Sequence, residues 1–90
     1  MYGIIYATKF KKDYKLSIKR NLDISLLQDV IIKLVNGITL SARYKDHDLQ
    51  GDYLGYRECH IKPDWLLIYK IDDQEKTLSL VRTGTHNDLF

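Results

Sequence analysis

RECHIKPDWLLIYKIDDQEKTLSLVRTG, Arg57 to Gly84, decides the fold. Two polar breaks divide it. Pro63-Asp64 makes a tight turn with proline at its preferred second position, and Asp72 to Glu75 makes another. The runs around them, Tyr56 to Lys62, Trp65 to Ile71 and Thr77 to Thr83, have strand length and are rich in aliphatic, β-branched and aromatic residues. An antiparallel meander is therefore expected here, followed by a tail or helical turn over His86 to Phe90.

Upstream of the meander the periodicity changes. GIIYA, Gly3 to Ala7, reads as a strand. Thr8 is placed to cap a helix in which Phe10, Tyr14 and Ile18 recur every four residues. Asn21 to Asp23 interrupts it. Asp23 or Ser25 can then cap a second helix whose Leu26, Leu27, Val30, Ile31, Leu34 and Val35 follow the i, i+3, i+4 pattern of a buried face, closed by Asn36-Gly37. Two helices joined so briefly fold back as a hairpin. Ile38 to Gly55 shows no clear period and reads as a long loop, with an extra short strand possible around Leu49 to Tyr53. The predicted class is α+β: one domain over residues 1–90, a twisted antiparallel sheet in the order β-α-α-β-β-β, and the helical hairpin packed on one face.

Composition narrows the setting. Ninety residues suffice for one modest core. Cys59 is the single cysteine, which excludes a disulfide framework and a thiolate metal cluster and fits the cytoplasm. The longest apolar stretch, WLLIY, is too short to span a bilayer, and MYGIIYATKF lacks the layout of a signal peptide. The net charge is only +2, but Lys9, Lys11, Lys12, Lys15 and Lys19 crowd the first helix against the single acid Asp13. Such a helix is either a solvated face or a surface for phosphates.

Strand register links this fold to chemistry. With a two-residue turn at Pro63-Asp64, Lys62 faces Trp65 and His60 faces Leu67. With the second turn centred between Asp73 and Gln74, Tyr69 faces Leu78, Leu67 faces Leu80 and Trp65 faces Arg82. His60, Trp65 and Arg82 would then share one sheet face, with His86 at its rim, while Leu66, Ile68 and Val81 point to the helices. A one-residue slip in either turn would break that grouping.

An uncovered face bearing His, Trp and Arg suits RNA cleavage. Imidazole can take up and return a proton near neutral pH, guanidinium matches phosphate oxygens, and indole stacks on bases. Cleavage through the 2′-hydroxyl needs a base, an acid and a cation for the phosphorane, and no metal. Zinc is the rival use of three histidines. They are not spaced i, i+4 on a helix, no HExxH or CxxC occurs, and Cys59 and His60 point to opposite faces, so no metal or other cofactor is expected. Cys59 should be a small core residue, and no serine sits in a nucleophile elbow.

YKDHDLQG (Tyr44 to Gly51), RECHIKPDWLLIY (Arg57 to Tyr69) and RTGTHNDLF (Arg82 to Phe90) resemble, in order and spacing, the signature stretches of the YafQ branch of the RelE/ParE toxin superfamily. The resemblance implies a RelE-like fold and a ribosome-dependent mRNA endoribonuclease, the toxin of a type II toxin–antitoxin pair. It implies catalytic roles for His47, His60, Asp64, Arg82 and His86, and substrate contacts for Trp65, Phe90 and the less constant Lys62. Arg82 would hold the scissile phosphate, His86 and His47 would carry protons, His60 and Asp64 would orient or tune them, and Trp65 and Phe90 would stack on bases. The lysines of the first helix would meet ribosomal RNA. Implied partners are the ribosome, mRNA and a cognate antitoxin of the DinJ/RelB kind, through which alone DNA would be engaged. The competing class is a non-catalytic binding toxin of the ParE type, acting on DNA gyrase, or a silent partner-binding relative.

Overall fold

A computed structural model describes residues 1–90. Strand β1 (Gly3–Tyr6) is followed by helices α1 (Thr8–Lys19) and α2 (Ile24–Val35), a short strand β2 (His47–Asp48), the meander β3 (Arg57–Lys62), β4 (Trp65–Asp72) and β5 (Thr77–Gly84), and a single helical turn, α3 (His86–Leu89). The five strands form one sheet in the order β1-β5-β4-β3-β2. The meander is antiparallel as expected, but β1 runs parallel to β5, Gly3 opposite Thr77, so the sheet is mixed. The helical hairpin supplies the crossover that a parallel neighbour requires. The loop holds two 3-10 turns, Ala42–Tyr44 and Gly51–Tyr53. Its extra strand is β2, paired as His47 to Glu58, rather than a strand at Leu49 to Tyr53.

The helices form where the pattern placed them, with local corrections. Asp23 caps α2 by accepting from the Ser25 amide at 3.1 Å, and Gly37 takes the left-handed conformation that ends it. The residue before α1 is Ala7, with no side-chain cap, and Thr8 is already helical. Phe10 is buried but Ile18 is 53% exposed; Ser17 takes the inward position and donates to the Asp13 carbonyl.

One core lies between the hairpin and the sheet. Phe10, Leu27, Val30 and Leu34 pack on Cys59, Trp65, Leu67, Tyr69, Leu78 and Leu80. Burial pushes the Cys59 thiol up to about 12, so it is an inert core group as expected. A second, smaller cluster of Leu66, Ile68 and Leu89 lies on the opposite face, covered by Leu49, Tyr53, Tyr56 and Val81. Both faces of the first half of β4 are therefore covered, which explains its unbroken apolar run.

Two one-residue bulges, and a β4–β5 turn centred between Gln74 and Glu75 instead of between Asp73 and Gln74, correct the expected register. Lys62 does face Trp65, but the ladder shifts between Lys62 and His60, so His60 pairs with Leu66 and Cys59 with Leu67. Between β4 and β5 a second shift leaves Val81 unpaired: Tyr69 faces Leu80, Ile68 faces Arg82 and Leu67 faces Thr83. The helices consequently cover the face of Trp65, Leu67 and Tyr69, and the face of Leu66 and Ile68 carries His60 and Arg82. Those two still share a face because each was moved by its own bulge, while Trp65 was left behind.

Candidate active site

Strand pairing assembles the site on the face away from the hairpin. Glu58 and His60 alternate along β3, His47 faces Glu58 from β2, and Arg82 lies opposite Ile68 on the same side. His86 closes the group from the first position of α3. The His60 ring centroid is 6.4 Å from that of His47 and 5.8 Å from that of His86. The three imidazoles, distant in the chain, form one row.

Each imidazole is held by the same device. His47 Nδ1 lies 2.7 Å from the Lys45 carbonyl oxygen, His60 Nδ1 3.3 Å from that of Pro63, and His86 Nδ1 2.9 Å from Asp64 Oδ1. These oxygens only accept, so Nδ1 carries the proton and donates, and Nε2 is presented to the site. Asp64 also accepts from the His86 amide at 3.1 Å, and the two hydrogen bonds hold its carboxyl below the usual carboxylate range.

Glu58 is the functional-site residue that sequence reasoning missed. One of its carboxylate oxygens lies 3.6 Å from Nε2 of both His47 and His60, and its side chain is 6% exposed. A carboxyl group held out of water beside two imidazoles is placed to pair with either of them if it carries a charge. Its place in an alternating strand beside His60 carried the signal, hidden because the expected register gave β3 no partner for His47.

Neighbouring ion pairs fix the frame. Arg57 donates to Asp46 at 3.1 Å and to Asp48 at 2.6 Å, gripping the carboxylates on either side of His47. Its guanidinium is pushed up, first by the hydrogen bond with Asp46. Tyr69 donates to the same Asp46, and burial and that bond push its phenol up. Arg82 Nε donates to Asp13 Oδ2 at 2.7 Å and Nη2 to Oδ1 at 3.2 Å, which raises Arg82 and leaves Nη1 outside the Asp13 grip, with the Tyr53 hydroxyl nearby. Arg20 pairs with Asp88 at 2.7 Å, tying α1 to α3. Thr85 and Asp88 form a reciprocal capping box. Gly84 is required here because a Cβ on it would meet Asp88 Oδ2 at 2.9 Å.

Of the expected site residues, His47, His60 and His86 form the row with Asp64 bonded to His86, and Arg82 lies on the same sheet face. Trp65 does not. Its indole is 3% exposed within the main core and donates to Thr83 Oγ1 at 3.0 Å, so it offers no face to a base. Phe90 is 64% exposed, its ring 5.8 Å from that of Tyr53, and it offers one. Lys62 is exposed beside His60, and the five lysines of α1 are exposed on that helix. A carboxylate oxygen of Glu58 and ring nitrogens of His60 and His86 lie within 4.8 Å of one another and could hold a metal ion, an arrangement that helical spacing rules do not reveal.

A mixed sheet with a helical hairpin on one face and a histidine, carboxylate and arginine cluster on the other is the arrangement of a RelE/ParE-superfamily toxin. Residues 2–90 match the family described as bacterial toxin of type II toxin-antitoxin system, YafQ, and the chain belongs to that family. It is 48% identical over 88 residues to the mRNA interferase toxin YafQ of Escherichia coli K12, covering 97% of this chain and 94% of the relative. It is similar to YafQ in the E. coli DinJ–YafQ complex, with a TM-score of 0.92, 46% identity and coverage of 100% and 99% of the two chains. A metal-bound toxin from Helicobacter pylori aligns over the full length of both chains with a TM-score of 0.93 and 47% identity.

Proposed function

We propose that this toxin is a ribosome-dependent mRNA endoribonuclease that cleaves through the 2′-hydroxyl by general acid–base catalysis. The observation that carries the proposal is the Asp64-anchored His86 set 5.8 Å from His60, which Glu58 backs in turn, with Arg82 on the same sheet face. His86 and His47 are the proton carriers, one taking the 2′-hydroxyl proton and the other returning one to the departing 5′-oxygen. Asp64 fixes the His86 tautomer, and His60 tunes its neighbours from the centre of the row. Arg82 binds the scissile phosphate through its Nη1 edge and stabilises the dianionic phosphorane. Phe90 stacks on a base, Lys62 contacts the substrate, and Lys9, Lys11, Lys12, Lys15 and Lys19 meet ribosomal RNA. The protein acts in the cytoplasm with an antitoxin of the DinJ kind, named in the E. coli complex, as its partner. A gyrase-binding toxin of the ParE type would have no use for three imidazoles held with Nε2 inward.

Adding the protein to a translating extract and mapping message breaks by primer extension tests this. Cuts placed by codon should fall by roughly 10²–10⁴-fold in His86→Ala and 10²–10³-fold in Arg82→Ala. They should vanish when the scissile ribose is replaced by 2′-deoxyribose. Intact message with the wild-type protein removes the proposal.

A further inference from the structure

A groove of about 560 Å³ runs from His60 away from the imidazole row, between α2 and the 3-10 turn Ala42–Tyr44. Its walls carry Lys33, Arg43, Lys45 and Lys62 against the single acid Asp29. Arg20, Arg57 and Arg82 each pair with a carboxylate, whereas Arg43 has none, and the three lysines have none either. Arg43 and Lys33 instead both donate to the Tyr44 hydroxyl, at 2.6 and 3.4 Å, with their charges 4.5 and 5.2 Å from its ring centroid. Two cations converging on one neutral hydroxyl repel each other and gain most when an anion joins them. His60 belongs to the groove and to the imidazole row, so the two surfaces meet at that residue.

We infer that this groove binds the sugar-phosphate backbone of the message strand next to the cut, with Arg43 and Lys45 as the principal groups that meet its phosphates. The inference rests on the proposed nuclease function and adds a second substrate surface to it. One polyanionic strand laid through both places would meet Arg82 at the scissile phosphate and the groove's cations at its neighbours. The α1 lysines do not line the groove and remain available to another surface.

The test is an Arg43→Gln/Lys45→Asn double variant. Both side chains are exposed, and asparagine tolerates the left-handed backbone of position 45. Binding of a labelled single-stranded oligoribonucleotide should weaken by about tenfold or more, and the slope of log affinity against log salt should flatten by about 0.7 for each phosphate that the variant no longer neutralises. On ribosomes programmed with a defined message, the half-saturating toxin concentration should rise while the rate at saturation stays within about twofold. Unchanged affinity and salt slope would overturn the inference. An equal loss of binding to ribosomes without message would assign the groove to ribosomal RNA and overturn its assignment to the message. Failure of the wild-type protein to cut by codon would instead sink the nuclease function, while the oligoribonucleotide arm still reports on the groove. An Arg43→Lys/Lys45→Arg variant that keeps the wild-type values shows that charge, and not local folding, is being read.

Discussion

Asp13, in the middle of α1, grips Arg82 of β5 along one edge: Nε and Nη2 donate to its two carboxylate oxygens at 2.7 and 3.2 Å. The same carboxylate accepts from the Thr83 amide at 3.2 Å, where β5 has run past the end of β1 and would otherwise leave a bare edge. Asp13 therefore positions the guanidinium and covers the strand edge together. In Asp13→Ala, the maximal cleavage rate should fall by roughly tenfold or more as Arg82 loses its fixed edge, with a smaller change in half-saturation. Stability should fall by about 1–3 kcal/mol. Asp13→Asn keeps an acceptor for Thr83, so it should recover more of the stability than of the rate. Equal recovery of both would show that Asp13 is structural only.

The C-terminal turn should be released by acid. Hydrogen bonding with Arg20, followed by the capping bond from the Thr85 amide, lowers Asp88 to about 2. A carboxylate depressed in the folded state contributes stability that is complete above its unfolded value near 4 and is lost as pH falls through its folded value. Asp64 is shifted in the same direction by its bonds from His86. Below pH 4, amide protection over Thr85 to Phe90 should decline toward a midpoint near 2 while the meander is still protected. Arg20→Gln should move that midpoint upward. A midpoint near 4 in the wild-type protein would mean that the Arg20–Asp88 pair does not form in solution.

Metal ions should inhibit. Glu58, His60 and His86 converge within 4.8 Å, and a divalent ion held there occupies the lone pairs that proton transfer uses. Stoichiometric copper or zinc should suppress message cleavage, and chelation should restore it. Inhibition should weaken about tenfold or more in Glu58→Gln, read as the metal concentration for half-inhibition. Stimulation by metal, or loss of wild-type activity on chelation, would contradict the metal-free proton transfer proposed above.

The architecture was legible because it depends on coarse signals. The apolar spacing of Leu27, Val30 and Leu34 and the polar breaks at Pro63-Asp64 and Asp72 to Glu75 survive errors of a residue. The parallel placement of β1 was not legible, since a four-residue strand states no partner. Facing was the weakest inference, because side-chain direction reverses with each residue of slip and neither the Ile61 nor the Val81 bulge has a mark in the sequence. Glu58 stayed hidden for a related reason. Its importance comes from β2, two residues long, set beside it by the Arg57 grip on Asp46 and Asp48.

Trp65 shows what the slip changes in practice. Its indole lies in the main core, hydrogen-bonded to Thr83, whose hydroxyl donates in turn to the Leu66 carbonyl at 2.7 Å. A residue so placed ties β4 to β5 beside Arg82, and its contribution is to the stability of the sheet. Trp65→Phe keeps most of the ring volume and removes one buried hydrogen bond, so it should cost about 1–3 kcal/mol and leave cleavage per folded molecule within about twofold of wild type. Trp65→Ala should cost about 3–5 kcal/mol, much of the stability of a domain this size. Thermal unfolding measured alongside single-turnover cleavage, well below the midpoint, separates the two effects. If Trp65→Phe stayed fully folded yet lost most of its activity, the indole would have to reach RNA, and the helix-side placement of Trp65 would be wrong.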